Sequence, residues 1–583
     1  MVEALLAAVL LAAAQGEEAE DVAADAVAVP APPTAEDQRE GDPELVSLLD
    51  YQIAQVTRLE VASGRTRVSV ESNAPSPRSG TFPVRFFIDN TTGLRQVVTL
   101  SIRATVNGSS HVVSRAVEVN PGERRTVNVP VPSEMRYGAV RADGAGITEN
   151  AGTSMYFQAT YEPQRVVMSI SRPEQFEKFI GKPPKYSGAN VLVHAIPPQE
   201  APEELASYLG YDCVTVPDGA TLDGLDEAAR RALEAYVATG GHLLVGGTIR
   251  SSAVFPLQTS LKPGNNDYGF GKLVLSAGAP TSTGLDVFRE GPSVLPHGPM
   301  PEYERRYNAA AAQRDLLLPQ ATAPLGRFLF IIALFTLAIG PGSVWVARRR
   351  GPAALLVTIP ATAIVTCVLI ISYSVIADGF VVHGSTYGYT LLDGREHRAI
   401  TQGVTAYYAN LAPAKAVFGP STVVVAPSDE RRDRYVADLT WRDGLTLGGD
   451  FVPSRTYREW GFVSVEPSRA RLVVKRKGDT WVVQNALGAQ IERVALNIDG
   501  RFFSGGPVRD GGEEELKAGN TLSVTATTAN SRFGSNVARA VSDKPLKPRE
   551  FLARIEGQGL VPTGGIGMQL HDGQHWVRGE FEE

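Results

Sequence analysis

Two uncharged apolar runs, residues 328–347 and 353–377, flank a turn of five residues, Arg348-Arg349-Arg350-Gly351-Pro352. A transmembrane helix needs about 20 apolar residues to cross roughly 30 Å of hydrocarbon. Each run is long enough, and soluble helices seldom avoid charge for that distance. The pair is therefore expected as a two-helix transmembrane hairpin (328–377), with the lipid bilayer as its first partner. Basic residues in short loops stay on the cytoplasmic side, so Arg348, Arg349 and Arg350 set the topology. Both ends of the hairpin, and whatever folds beyond them, then face outward.

At 583 residues the chain exceeds one hydrophobic core and predicts several domains. The net charge is −7, but residues 16–43 alone contribute −8, so the remainder sums to +1. No basic domain survives that division, which excludes a nucleic-acid partner. Of the two cysteines, Cys367 lies in the second apolar run and Cys213 in a soluble stretch. A disulfide framework is not expected. The eight histidines are scattered, and neither a metal site nor a cofactor is expected.

Residues 1–14 are apolar and end in small residues, so 1–15 reads as a signal peptide or N-terminal anchor, although the short leading region carries Glu3 and no basic residue. Residues 16–43 are acidic, rich in Ala and Pro and free of aromatics. Such a segment buries too little apolar surface to offset its ordering entropy, and it reads as a disordered linker. Residues 44–170 change to short alternating runs, around 68–71, 84–88, 97–102 and 127–129, separated by Asn90-Thr-Thr-Gly93 and Asn120-Pro-Gly-Glu123. Pro121-Gly122 suits the centre of a type II turn. The spacing predicts an immunoglobulin-like β-sandwich. The sequons at Asn90 and Asn107 are read as turn residues.

Residues 184–278 alternate apolar strands (190–194, 212–216, 242–246, 272–276) with helical segments. The helix expected over 225–239 sets Leu225, Ala229, Leu233, Tyr236 and Val237 on one face, and Gly240-Gly241 stops it. This order predicts a small parallel sheet with right-handed crossovers. The stretch Gly210-Tyr-Asp-Cys-Val-Thr-Val-Pro217, followed by Ala232-Leu-Glu-Ala-Tyr-Val-Ala-Thr-Gly-Gly-His-Leu-Leu-Val-Gly246, resembles the class I glutamine amidotransferase-like fold. It is similar to divergent versions in bacterial membrane proteins that combine that fold with sandwiches and membrane helices. Active members carry a nucleophilic Cys in a Gly-x-Cys-x-Gly elbow and a downstream His-x-Glu pair. Here Val245 is followed by Gly246-Gly247-Thr248, and no His-x-Glu occurs. The resemblance thus implies the fold without the activity.

Residues 279–327 are Pro-, Gly- and Ala-rich and read as a linker. Strand patterns return over 378–535 as a second sandwich-like domain, leaving 536–583 as a C-terminal tail segment. Asn485-Ala-Leu-Gly488 followed by a strand at 494–498 echoes Asn90-Thr-Thr-Gly93 followed by 98–102. Ala518-Gly519 is matched with Pro121-Gly122, which suggests an internal repeat.

Catalytic chemistry is weakly represented. Cys213 lies inside a strand pattern rather than on an elbow, so a buried thiol is expected. Neither a Gly-x-Ser-x-Gly elbow nor a Walker A loop is present. Gly269-Phe-Gly271 precedes a strand, the wrong context for a dinucleotide fingerprint. Asp223 and Asp226 suit the start of the following helix rather than a calcium loop. His571 and His575 could approach one another, but no third ligand is evident. The fold class expected is a multidomain α+β membrane protein: a sandwich, a small α/β domain, a helical hairpin and a C-terminal β-rich domain. The function expected is non-enzymatic: an envelope protein of the bacterial cytoplasmic membrane that binds or scaffolds envelope or membrane protein partners. Gly246, Gly247 and Thr248 are the candidate ligand surface. An extracytoplasmic ligand sensor acting through a partner protein, and a divergent hydrolase or amidotransferase, are the alternatives.

Overall fold

The computed structural model describes residues 49–147, 152–159, 164–183, 190–247, 249, 254–257, 261–278, 280, 316–318, 325–378, 381–426, 436–448, 451–519, 532–533, 537 and 539–583. The signal segment at 1–15, the acidic linker at 16–43, Thr248 and most of the 279–327 linker lie outside them. The described chain is β-rich and divided among several sheets.

After β1 (Tyr51–Ile53), the first β module is built from β2 (Thr57–Ala62), β3 (Thr66–Ser72), β4 (Pro75–Ser76), β5 (Thr81–Asn90), β6 (Gln96–Val106), β7 (Ser109–Val119), β8 (Arg124–Pro132), β9 (Tyr137–Gly144), β10 (Gly152–Tyr156) and β11 (Gln158–Ala159). Its sheets run β2-β3-β5-β8 and β10-β9-β6-β7. In β6 buried and exposed residues alternate almost without fault, as one face packed on a core requires. Val84, Phe86 and Ile88 from one sheet and Val98, Leu100 and Ile102 from the other lie in the shared core. Asn107 and Gly108 both have positive φ, 50° and 81°, the two-residue hairpin turn that matches strand twist.

The parallel sheet takes β12 (Arg165–Ile170), β13 (Val191–Ile196), β14 (Cys213–Val216), β15 (His242–Gly246), β16 (Gly264–Tyr268) and β17 (Gly271–Ser276), with helices α1 (Pro173–Ile180), α2 (Gly219–Asp223) and α3 (Glu227–Ala238). Its order is β1-β13-β12-β14-β15-β17-β16, and every pair except β16–β17 is parallel. Two of its strands, β1 and β12, come from residues before 184. Helix α3 starts on Asp226, whose Oδ1 accepts from Ala228 N at 2.9 Å. It ends in a Schellman motif: Gly241 N donates to Tyr236 O and Gly240 N to Val237 O.

The next segment is helical: α4 (Leu325–Leu337), a π turn at Ala338–Gly342 containing Pro341, α5 (Ser343–Arg350), and α6 (Leu355–Asp378). Gly351, at φ +83°, breaks the chain between α5 and α6. Among the described residues one helix, over Pro352–Leu369, is long and apolar enough to cross a membrane, by length and composition. The π turn divides the helical run before it. Large apolar side chains there face outward, Leu356 80 % and Phe330 70 % exposed.

Beyond it come β18 (Val382–Asp393), β19 (Arg398–Ala409), β20 (Ala416–Phe418), β21 (Thr422–Val425), β22 (Leu439–Trp441), β23 (Leu445–Leu447), β24 (Tyr457–Pro467), β25 (Arg471–Lys477), β26 (Thr480–Ala486), β27 (Ile491–Ile498), β28 (Arg501–Gly505), β29 (Glu513–Ala518), β30 (Glu550–Ile555) and β31 (Met568–Glu580). The large sheet runs β21-β24-β19-β18-β31-β30-β27-β28-β29-β26-β25, so residues 536–583 supply two of its strands.

The echo noted in the sequence has a structural counterpart. Strands β25-β26-β29 pair as β3-β5-β8 do, and β28-β27-β30 pair as β7-β6-β9 do, all antiparallel. Asn90 and Asn485 are both fully buried at the corner of their module. Asn90 Nδ2 donates to Leu94 O and Val119 O (2.9 and 3.2 Å), and Asn485 Nδ2 to Ala489 O and Val508 O (2.8 and 3.1 Å). Each Oδ1 accepts the amide two residues on. Asp499-Gly500, φ 50° and 84°, repeats the turn at Asn107-Gly108. The counterpart of Gly122 (φ +69°) is Gly511 (φ +70°), in a turn closed by Gly512 N to Arg509 O as Glu123 N closes on Asn120 O. Ala518-Gly519, matched to Pro121-Gly122 from sequence, instead ends β29.

The halves on either side of the helical segment share a sheet. β22 adds parallel to β7, extending β10-β9-β6-β7 into β22-β23-β20. Val112 N donates to Asp438 Oδ1 at 2.9 Å and Trp441 Nε1 to Pro130 O at 2.9 Å.

Candidate binding cleft

On the first module, the outward residues of β3, β5 and β8 include Arg67, Ser69 and Glu71, then Arg85, Phe87 and Asp89, then Arg124, Thr126 and Asn128. The chain leaving the carboxyl end of β13 crosses this face. Thr81 Oγ1 donates to Ala206 O, and Gly210 N donates to Thr81 O at 2.8 Å. The segment joining β13 to β14 is thus laid against the β module.

A buried polar network fastens that contact. His194 Nε2 lies 2.8 Å from Glu71 Oε1, and its Nδ1 shares a hydrogen bond with Tyr211 OH at 2.7 Å. Arg85 donates to Glu71 Oε2 at 2.7 Å and also to Glu200. Arg85 and Glu71 are each 3 % exposed. Burial alone would raise the Glu71 carboxyl, but His194 and Arg85 outweigh it and hold it below the ordinary range. Burial, then the Glu71 charge, pushes the Tyr211 phenol well up, so it stays a neutral hydroxyl. A charged pair shielded this completely works as a fastener; neither group reaches solvent or a substrate.

Beside the fastener the same face opens into a cleft of about 960 Å³, walled by residues 199–204 opposite β3, β5 and β8. Arg67 pairs with Asp89 at 2.7 Å, Arg124 reaches Asp89 at 3.5 Å, and Arg115 pairs with Glu204 at 2.5 Å. The Arg58 guanidinium lies 3.6 Å from the Phe87 ring centroid and 3.9 Å from Glu200. Two buried acceptors, Asn128 Oδ1 and Glu204 Oε2, have no hydrogen-bond partner among the described residues. Burial raises the Glu204 carboxyl despite Arg115.

The residues singled out from sequence are dispersed. Gly246 is buried, and a Cβ there would collide with the Pro217 carbonyl and the Phe179 ring. It serves close packing at the end of β15. Gly247, φ +75°, donates its amide to Ser276 O at 2.6 Å. Cys213 is fully buried within β14, and burial drives its thiol well up, away from the thiolate a nucleophile requires. His571 meets His383 (Nε2 to Nδ1, 2.7 Å), whereas His575 is buried against Thr390 Oγ1 at 2.8 Å, so the two histidines serve different environments. Asp218 caps α2 and Asp226 caps α3. Arg348, Arg349 and Arg350 form the last turn of α5, with Arg349 4.3 Å from the Trp345 ring centroid. The cleft escaped sequence reading because its walls come from residues 58–128 and 199–204. The clustering of Glu200, Glu203 and Glu204 opposite an arginine-rich β8 was the available signal.

Neither a protein-family model nor a curated protein matches the chain. Among solved structures it is similar to a Paenibacillus cycloisomaltooligosaccharide glucanotransferase (12% identity, TM-score 0.14, covering 37% of this chain and 33% of that one). A Bacteroides uniformis beta-glucuronidase 2 matches at 13% identity and TM-score 0.14, covering 32% and 28%. The Escherichia coli alpha-2-macroglobulin, from domain MG7 to the C-terminus, matches at 10% identity and TM-score 0.12, covering 74% and 96%. The chain thus spans about a third of the length of the first two, and at these TM-scores none of the three bears on function.

Proposed function

We propose that this chain is a non-enzymatic, two-pass protein of the bacterial cytoplasmic membrane whose folded mass lies outside the cell membrane and binds envelope components. The observation that carries the topology is the sheet joining β7 to β22. Strands from before and after the helical segment cannot hydrogen-bond side by side if a bilayer separates them. An even number of crossings satisfies that condition and a single crossing does not. The run 328–347, π turn included, is the other crossing, since a proline within a membrane helix is tolerated where neighbouring groups re-satisfy the backbone. The arginine turn then lies in the cytoplasm.

Within this reading the β modules are immunoglobulin-like and the parallel sheet is an amidotransferase-like fold without its nucleophile. Burial of Cys213, whose thiol is pushed well up, supports binding over catalysis. The cleft on the first module is the binding surface, and its walls are charged, paired and open to solvent. Reporter fusions test the topology: cytoplasmic activity is expected at Gly351 and extracytoplasmic activity at Asn120 and after Glu583. Opposite compartments for the latter two would refute it. Affinity capture with the detergent-solubilised chain tests the binding role, which fails if nothing from the envelope is retained.

A further inference from the structure

The lining of the cleft narrows what it can hold. Five arginines face five carboxylates there, so its formal charge is zero. Most are already paired with one another: Arg67 and Arg124 with Asp89, Arg58 with Glu200, Arg115 with Glu204. A polyanion would have to displace the carboxylates, and a polycation the arginines. Either ligand would leave like charges facing it at close range. Of the apolar residues at its margin, Val68, Ile88 and Val127 are turned into the module core, and the outward Phe87 ring is covered by Arg58.

Two groups remain unanswered. Asn128 is 7 % exposed and stands opposite Arg85 on the outward face; its Oδ1, like Glu204 Oε2, has no donor among the described residues. A buried acceptor without a donor is costly, and each is answered by an O–H or N–H donor. A hydroxyl both donates and accepts. Neighbouring hydroxyls on one ring can therefore meet an arginine and a carboxylate side by side without breaking the pair. A cleft of about 960 Å³ falls in the range of sites for ligands of several rings.

We propose that the cleft between β3-β5-β8 and residues 199–204 binds a neutral, polyhydroxylated ligand, a short uncharged oligosaccharide, with Asn128 and Glu204 as its buried acceptors. This rests on the binding role given to the cleft above. The test uses the full chain in a polyoxyethylene detergent, because a maltoside headgroup would compete. An array of neutral oligosaccharides is screened, and chitotetraose, maltotetraose, tetraglutamate and tetralysine are titrated calorimetrically. Retention of at least one neutral oligosaccharide is expected, with affinity falling about ten-fold or more in Asn128→Ala. Arg124→Ala, at a side chain 81 % exposed, is expected to weaken it about three-fold. If no neutral oligosaccharide binds, or if both variants bind as the parent does, the proposal is overturned. If a charged peptide binds instead and Arg124→Ala weakens it, the ligand class is wrong while the binding cleft stands.

Discussion

His575 gives the most quantitative handle on the second half of the chain. It is fully buried in β31, between two glycines, Gly388 and Gly559, at which any Cβ would strike the imidazole. Burial lowers its pKa from 6.5 to about 3. The folded pKa therefore lies below the unfolded one. Above pH 6.5 both states are neutral and the residue is indifferent to pH. As pH falls from 6.5 toward 3 the unfolded chain takes up a proton that the folded chain refuses, and stability is lost. At about 1.36 kcal/mol per pH unit, the loss is roughly 2 kcal/mol at pH 5 and about 4 kcal/mol at pH 3, and it levels off at about 5 kcal/mol below that. For a region of 150–250 residues, 2 kcal/mol corresponds to about 4–8 °C in unfolding midpoint. The perturbation is His575→Gln, which stays neutral and can still reach Thr390 Oγ1. Thermal unfolding of parent and variant, each at pH 7.5 and pH 5.0, cancels the other titrating groups. The variant is expected to lose about 4–8 °C less on acidification. Identical acid sensitivity in the two would refute the assignment of this proton to His575.

Three further outcomes follow from the packing. Arg85→Ala leaves Glu71 buried and facing only His194, and is expected to cost about 3–5 kcal/mol, read as earlier hydrogen exchange in β13 and β5 together; protection lost in β5 alone would deny that the network joins the two sheets. Gly246→Ala forces a methyl against the Pro217 carbonyl and is expected to destabilise the parallel sheet by about 1–3 kcal/mol; an unchanged melting profile would return Gly246 to the role of an open surface. Asn90→Ala and Asn485→Ala remove the same corner from the two β modules and are expected to cost similar amounts, about 1–3 kcal/mol for each buried carbonyl left without its donor; a silent Asn485→Ala would break the equivalence.

What was legible in the sequence was whatever depends on neighbours along the chain. The α3 helix, its Asp226 cap and its Gly240-Gly241 stop were readable because helix ends are set by residues a few positions apart. So was β15, found at residues 242–246. The repeat was half legible. The Asn corner announced itself, but Ala518-Gly519 was matched to Pro121-Gly122 because both precede apolar runs. The dipeptides Asn107-Gly108 and Asp499-Gly500 would have fixed the register, since each supplies positive φ at both central turn positions. The cleft was not legible, because Glu204 and Asn128 meet only when the α/β sheet is laid on the module.

The join of β7 to β22 was the least legible feature and has the widest consequence. β22 is three residues long, and its partners Val113, Ser114 and Arg115 lie more than 300 residues earlier. No local pattern in Leu439-Thr-Trp441 records that partner. Until residues 439–441 are made, β7 presents an open edge with its backbone amides and carbonyls unpaired, a template for the wrong strand. The helices over 325–378 are synthesised before the strand that closes that edge. The first module is therefore completed only after the helical segment has been made. The shared sheet joins the domains before and after the helical segment, so that strands from both sides of it must come together before the edge can close.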